Sequence, residues 1–151
     1  MKFLIINGPN LNMLGIREPN HYGYENYEKL IMKIKSYCES FDVETIFFQS
    51  NHEGDLIDEI QKAYGKIDGI IINPGAYAHT SIALLDALKS VSLPAVEVHI
   101  SKLDTREKFR QINYIRDACI NSVIGLGTDG YLRAVDILLK YLYEKNQQEM
   151  K

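Results

Sequence analysis

The sequence has little cysteine, no excess of positive charge, no long apolar run and none of the glycine spacings that cradle phosphates. Each shortage excludes something. Its two cysteines, Cys38 and Cys119, fall on different predicted elements. They read as buried free thiols of a reducing compartment rather than as a disulfide or a metal pair. Lys and Arg number 17 against 20 Asp and Glu, for a formal net charge of -3. That balance, with no basic run, disfavours a nucleic-acid partner. No apolar run approaches the roughly 20 residues of a membrane span. Met1 and Lys2 lead into the run Phe3-Leu4-Ile5-Ile6, too short for the core of a signal peptide. The expectation is a cytoplasmic chain with neither membrane nor nucleic acid as partner. Gly8-Pro9-Asn10 lacks the G-x-G-x-x-G spacing, and Gly-Lys-Ser/Thr is absent, so neither a Rossmann dinucleotide site nor a P-loop is expected. His52, Glu53, Asp55 and Asp58 match no metal-ligand spacing and read as a solvated loop and helix face. Neither a metal nor a cofactor is expected.

What is present is ordinary in bulk and specific in detail. A chain of 151 residues with 46% apolar and 25% charged residues suits one globular domain, here residues 1–151, with a substantial core. Residues 3–23, FLIINGPNLNMLGIREPNHYG, organise the rest. A short apolar run fit for a buried strand turns polar at Asn7-Gly8-Pro9-Asn10 and continues without a clear period past Arg17 and Tyr22. In open α/β sheets, ligands sit beyond the carboxyl ends of the strands. Asn-, Gly- and Pro-rich loops often exist only to turn the chain. A long unstructured one in so small a chain points to function.

The remaining chain alternates. Residues 27–41 carry Leu30, Ile31, Ile34, Tyr37, Cys38 and Phe41 at helical spacing. Residues 43–48 read as a strand. A polar loop then opens a helix whose buried face is Leu56, Ile57, Ile60, Ala63 and Tyr64. Residues 69–72 are the most apolar strand, ending at Asn73-Pro74-Gly75. Thr80 or Ser81 caps the next helix. Residues 94–100 form a fourth strand, and Asp104 or Thr105 caps a fourth helix containing Phe109 and Ile112. Residues 123–126 form a fifth strand, and Asp129 begins the last helix, with residues 147–151 expected to fray. Five βα units with short connections imply a parallel sheet covered on both faces, an α/β three-layer sandwich. Right-handed crossovers favour a flavodoxin-like order, 2-1-3-4-5.

Reading only the carboxyl strand ends brings Asn7, Asn10, Asn73, Glu97 and His99 to one rim. An Asn alone caps turns, and a His alone on a strand is usually packed. Together they make a candidate site. Glu97 and His99 are two apart on a strand and share a face. A carboxylate beside an imidazole fixes its tautomer and supports the imidazolium, which suits a general acid. Arg106 and Arg110 are four apart on the expected fourth helix, hence on one face. They read equally as a solvated stripe or as an anion-binding pair. A receiver-type signalling domain is disfavoured, because Asn7 and Asn73 stand where that layout needs acids.

At this point the chain resembles the type II 3-dehydroquinate dehydratases. The resemblance rests on Asn7-Gly8-Pro9-Asn10-Leu11-Asn12, Arg17-Glu18-Pro19, Tyr22-Gly23, Gln49-Ser50-Asn51-His52-Glu53-Gly54 and Asn73-Pro74-Gly75-Ala76-Tyr77. It continues through His79-Thr80-Ser81, Asp86-Ala87-Leu88, Glu97-Val98-His99-Ile100-Ser101, Arg106, Arg110, Gly125-Leu126-Gly127 and Gly130-Tyr131, nearly the whole chain. The resemblance implies a flavodoxin-like, typically dodecameric enzyme that dehydrates 3-dehydroquinate to 3-dehydroshikimate through an enolate, without a cofactor. It serves the shikimate route to aromatic amino acids or quinate catabolism. Tyr22 is then the base at C2, with Arg17 beside it. His99, supported by Glu97, protonates the departing C1 hydroxyl, and Asn10 and Asn73 hold a water and position the reacting groups. Asn73 with the backbone at Ile100 and Ser101 meets the substrate carboxylate. His79, Arg110 and, across a subunit boundary, Asp86 meet its ring hydroxyls, and Arg106 lies on the lid side. Lys102, Leu85, Asn113 and the absence of Thr-Leu after Tyr22-Gly23 depart from the family pattern without removing a matched catalytic group. A non-catalytic sensor of a polyhydroxy acid is the alternative class. It would keep Asn73, His79 and Arg110 but would not need Tyr22, Arg17 or the Glu97–His99 pair.

Overall fold

Five short strands form one parallel sheet: β1 (Lys2–Asn7), β2 (Glu44–Gln49), β3 (Gly69–Asn73), β4 (Ala95–His99) and β5 (Asn121–Ile124). The computed structural model describes residues 1–16 and 25–151. The strand order is β2-β1-β3-β4-β5, as the βα alternation implies. β1, β3 and β4 are buried almost throughout, because helices cover both faces; β1 and β3 therefore read as apolar runs, while β4 buries Glu97 and His99 as well. Alternate residues divide between the two layers. Phe3 and Ile5 pack with α1 (Tyr27–Glu39) and α4 (Asp129–Glu149). Leu4 and Ile6 pack with α2 (Glu53–Lys62) and α3 (Ile82–Val91).

Each helix follows from spacing and caps. Leu30, Ile34 and Cys38 form the buried stripe of α1, and the Asn26 side chain caps it by accepting from the Lys29 N–H. Ser81, not Thr80, caps α3, accepting from the Leu84 N–H at 3.0 Å. Ile70, Ile71 and Ile72 of β3 are fully buried, each contributing about 1.5–3 kcal/mol relative to exposure. The strand so anchored delivers Asn73 to the carboxyl rim, where it pairs in register with Asn7 of β1.

The connection from β4 to β5 is not the expected fourth helix. Three 3-10 turns replace it: Leu103–Thr105, Lys108–Gln111 and Ile115–Ala118. Arg106 is fully extended between the first two (φ -105, ψ -172). Phe109 and Ile112, the apolar residues of the expected helix, are exposed, so no apolar stripe holds a longer helix together. The Asn113 side chain accepts from the N–H groups of Ile115 and Arg116 and opens the third turn. Other differences are local. Tyr64 lies beyond the end of α2 and is 71% exposed rather than buried. β5 begins at Asn121, before the expected Val123, and α4 stays helical to Glu149 where fraying was expected.

Candidate active site

The carboxyl rim is held by close backbone approach. Gly8 N–H donates to Asn73 O at 2.7 Å, and a Cβ on Gly8 would lie 2.4 Å from Pro74 O. Only glycine brings the loop after β1 this near the loop after β3. Asn10 then takes a left-handed conformation (φ 69), tolerable for Asn, and its N–H donates to Asn51 Oδ1 at 2.9 Å. Gln49 Nε2 reaches Gly8 O at 3.2 Å and Asn12 Oδ1 at 3.3 Å. Residues 8–12 are thus tied down at the end of β2, and with them the near wall of a cleft.

That cleft is open to solvent and lined by polar and apolar side chains together. Asn10 lines it from the first loop, Asn73 from the tip of β3, and His79 from the 3-10 turn Gly75–His79. His99, Ile100 and Ser101 come from the end of β4, and Arg106 and Arg110 from the turns beyond it. Glu97 is not in the lining; it stands behind His99. Asp86 is exposed on α3 and does not line the cleft. Arg17 and Tyr22 lie outside the described residues.

Glu97 and His99 share a face of β4 as expected. His99 Nε2 lies 3.5 Å from Glu97 Oε1, longer than a made hydrogen bond. The same oxygen accepts from Asn113 Nδ2 at 2.7 Å and from Arg116 Nη2 at 3.4 Å. Glu97 is 0% exposed. Burial by itself raises its pKa, but His99 first, then Arg116 and Asn113, outweigh burial and hold the carboxyl below its ordinary value. Glu97 is therefore a carboxylate at neutral pH, buried against the imidazole that opens on the cleft.

The arginines are not a solvated stripe. Their side chains are largely buried, and both line the cleft although no α-helix joins them. Arg110 Nε pairs with Glu107 at 2.6 Å, and Arg106 Nη1 donates to Ser101 Oγ at 3.4 Å. His79 Nδ1 lies 2.6 Å from Ile112 O, which can only accept, so the Nδ1 proton points there. Burial pushes the His79 pKa down, and the charges of His99, Arg110 and Arg106 add to the effect while the Ile112 bond opposes it. The neutral ring keeps its lone pair on Nε2, as an acceptor for a hydroxyl.

Sequence reasoning missed four contributors. Asn113 and Arg116 were not connected with Glu97, because their contact depends on the 3-10 path after β4. Asn7 was noted at the rim but given no role, and Tyr131 only as part of a motif. Tyr131, on the first turn of α4, is fully buried and bonded to both Asn7 and Asn73. The available signal was that two neighbouring parallel strands both end in Asn. His52, Glu53, Asp55 and Asp58 form no metal-holding group among the described residues. No helix among the described residues is long and apolar enough to cross a membrane.

The chain is similar to known proteins over almost its full length. The family model for dehydroquinase class II matches residues 1–139. A 3-dehydroquinate dehydratase of Carboxydothermus hydrogenoformans is 51% identical, over 97% of this chain and 95% of its own. One from Fusobacterium nucleatum is 53% identical, over 93% and 98%. The crystal structure of the type II dehydroquinase from Butyrivibrio crossotus superposes with a TM-score of 0.90 at 54% identity, covering 91% of this chain and 97% of its own. With the family model, the relatives and the superposed fold in agreement, this chain belongs to the class II dehydroquinase family.

Proposed function

We propose that the chain is a hydro-lyase of the shikimate pathway that converts 3-dehydroquinate to 3-dehydroshikimate through an enolate. The observation that carries this reading is the buried Glu97–His99 pair opening on a cleft that also holds Arg106, Arg110 and His79. The substrate carries a carboxylate, ring hydroxyls and a ketone, and the cleft offers a partner of suitable chemistry for each of the first two.

The reaction removes a proton from C2, next to the C3 ketone, and a hydroxide equivalent from C1. Tyr22 takes the C2 proton, with Arg17 beside it, and the electron pair moves into the ketone to give the enolate. Collapse of the enolate breaks the C1–O bond as His99 gives its proton to the departing oxygen. Glu97 compensates the imidazolium before that transfer. Asn10 and Asn73 hold a water and orient the reacting groups, so preorganised dipoles stabilise the charge that develops on the ketone oxygen. Asn73 and the backbone at Ile100 and Ser101 receive the substrate carboxylate. His79, with its acceptor nitrogen, and Arg110 receive ring hydroxyls, and Arg106 flanks the entrance. No metal or cofactor takes part.

The enzyme works as one catalytic domain in the cytoplasm, as a homo-oligomer, by resemblance a dodecamer. Quinate catabolism remains the alternative route for the same reaction. Support for assembly comes from Asp86, which is exposed on α3 and outside its own chain's cleft. It meets the substrate of a neighbouring subunit. The test is ultraviolet absorbance of purified protein given 3-dehydroquinate, because the product is a conjugated enone. No rise would refute the reading, and near-normal turnover in Tyr22→Phe would remove Tyr22 as the base.

A further inference from the structure

A buried polar chain runs under the floor of the cleft. Tyr131 Oη donates to Asn7 Oδ1 at 2.6 Å and accepts from Asn73 Nδ2 at 2.9 Å. Asn73 Oδ1 accepts from the Gly75 N–H at 3.2 Å, and Asn7 Nδ2 reaches Tyr27 Oη at 3.5 Å. The direction of these bonds follows from one group. A backbone N–H can only donate, so the oxygen of the Asn73 amide must face Gly75. Its nitrogen then faces Tyr131, whose oxygen must accept, and the single Tyr131 proton goes to Asn7 Oδ1. Burial pushes the Tyr131 pKa up, so the phenol keeps that proton at any working pH. No alternative arrangement satisfies every donor, and a buried unsatisfied group is costly.

We propose that Tyr131 is a positioning residue for the dehydration: its hydroxyl fixes the Asn73 amide so that the second Nδ2 proton is presented to the substrate carboxylate. The proposal rests on the reading of Asn73 as a substrate contact. Tyr131 itself is 0% exposed and touches no substrate. It joins the first turn of α4 to the tips of β1 and β3, so the packing of α4 against the sheet sets the orientation of a group in the cleft. The Gly75 bond alone, at 3.2 Å, is the longer of the two that hold the amide.

The test measures steady-state kinetics with 3-dehydroquinate, well below each variant's melting temperature. Tyr131→Phe is expected to raise KM about tenfold, the equivalent of one lost hydrogen bond, and to lower kcat by less than that, since the same amide also helps hold the water. Its pH profile should match the wild type, because the Glu97–His99 pair is untouched. Asn7→Ala removes the acceptor that directs the Tyr131 proton. It is expected to raise KM in the same direction, and it keeps the test open should Tyr131→Phe not fold. Adding Tyr131→Phe to Asn73→Ala should raise KM no further. Asn73→Ala with wild-type KM would remove the underlying reading and the proposal with it. Asn73→Ala impaired but Tyr131→Phe and Asn7→Ala at wild-type KM, however much less stable, would overturn the proposal alone. An additive double variant would also overturn it.

Discussion

Gly8→Ala tests whether close backbone approach builds the site. The new Cβ would lie 2.4 Å from Pro74 O and 2.7 Å from Pro74 C. Neither atom is the end of a flexible side chain. Gly8 cannot simply retreat, because its N–H holds Asn73 O at 2.7 Å and its carbonyl accepts from Gln49. The two loops must therefore separate by about 1 Å, an overpacking cost of about 1–3 kcal/mol. For a chain of this length each kcal/mol lowers the melting temperature by about 2–4 °C. The larger effect falls on activity. Asn10 follows Gly8 by two residues and Asn73 precedes Pro74 by one, so the separation moves two cleft residues apart. A misplacement of about 1 Å costs on the order of 100-fold, and kcat/KM should fall by that order. Gly54→Ala is the control, since a Cβ there meets nothing within 4 Å. It lies in α2 and should raise stability by about 0.4–1 kcal/mol without touching activity. Thermal melts and the enone assay read both variants. A Gly8→Ala protein with wild-type melting temperature and kcat/KM would refute the reasoning.

The folded state depresses the Glu97 pKa below 4.5, so its contribution to stability is complete above that pH and is lost as pH falls through the folded value. Glu97→Gln should flatten this acid limb in melts against pH; an unchanged limb would mean the carboxylate is unpaired. His79 is also depressed, below 6.5, so its neutral form favours the fold above that pH, and this contribution fades on acidification towards the folded value. Replacing His79 with Gln should remove that fade, which is small because the ring is part-exposed. Asn113→Ala deletes a bond to a buried carboxylate and should cost about 1.5–3 kcal/mol of stability and lower kcat more than KM. Equal kcat would separate Asn113 from the acid. Tyr22→Phe and Asp86→Ala proteins, reassembled as mixed oligomers, should be more active than the sum of the parents, since some sites regain both groups. Confirmed hybrids without a gain would confine Asp86 to its own chain or to no role.

The sheet was legible because β1 and β3 are short apolar runs with an abrupt polar end, buried on both faces, and the part-exposed edge strands fall into the same βα alternation. The rim followed from the same ends. Asn73 and the Glu97–His99 pair needed only strand periodicity. The stretch after β4 was not legible. Phe109 and Ile112 mimic a helical stripe, but both face solvent, and local side-chain bonds from Asn113 decide the path. Arg106 and Arg110 therefore converge on the cleft by a route that helical spacing did not predict, although their cleft-facing role was one of the two readings. Tyr131 was invisible for a different reason. An apolar stripe on an amphipathic helix accommodates Tyr as readily as Leu, and only the three-dimensional meeting of α4 with two strand tips gives its hydroxyl a purpose.

Two imidazoles share the cleft, their ring centroids 6.3 Å apart, and their surroundings assign them different duties. His79 gives its Nδ1 proton to Ile112 O, and a second proton would meet burial and the positive charges of His99, Arg110 and Arg106. It stays neutral near pH 7 with Nε2 free to accept, which suits a hydroxyl and does not suit protonating a leaving group. His99 abuts the buried Glu97 carboxylate, which compensates a positive ring. That compensation depends on Glu97 remaining charged in a site with no exposure, and so on His99 itself, with Arg116 and Asn113, outweighing the penalty of burial. The group that the proposed reaction uses as its acid is thus held in a four-residue assembly of His99, Glu97, Asn113 and Arg116. Its last two members come from the irregular segment after β4, the same segment that carries Arg106 and Arg110 into the cleft. One departure from helical structure therefore supplies both the partners of the buried Glu97 carboxylate and the two guanidinium groups of the cleft. A regular helix over residues 103–118 would keep 106 and 110 on one face, but it would remove the turn in which Asn113 caps Ile115 and reaches Glu97.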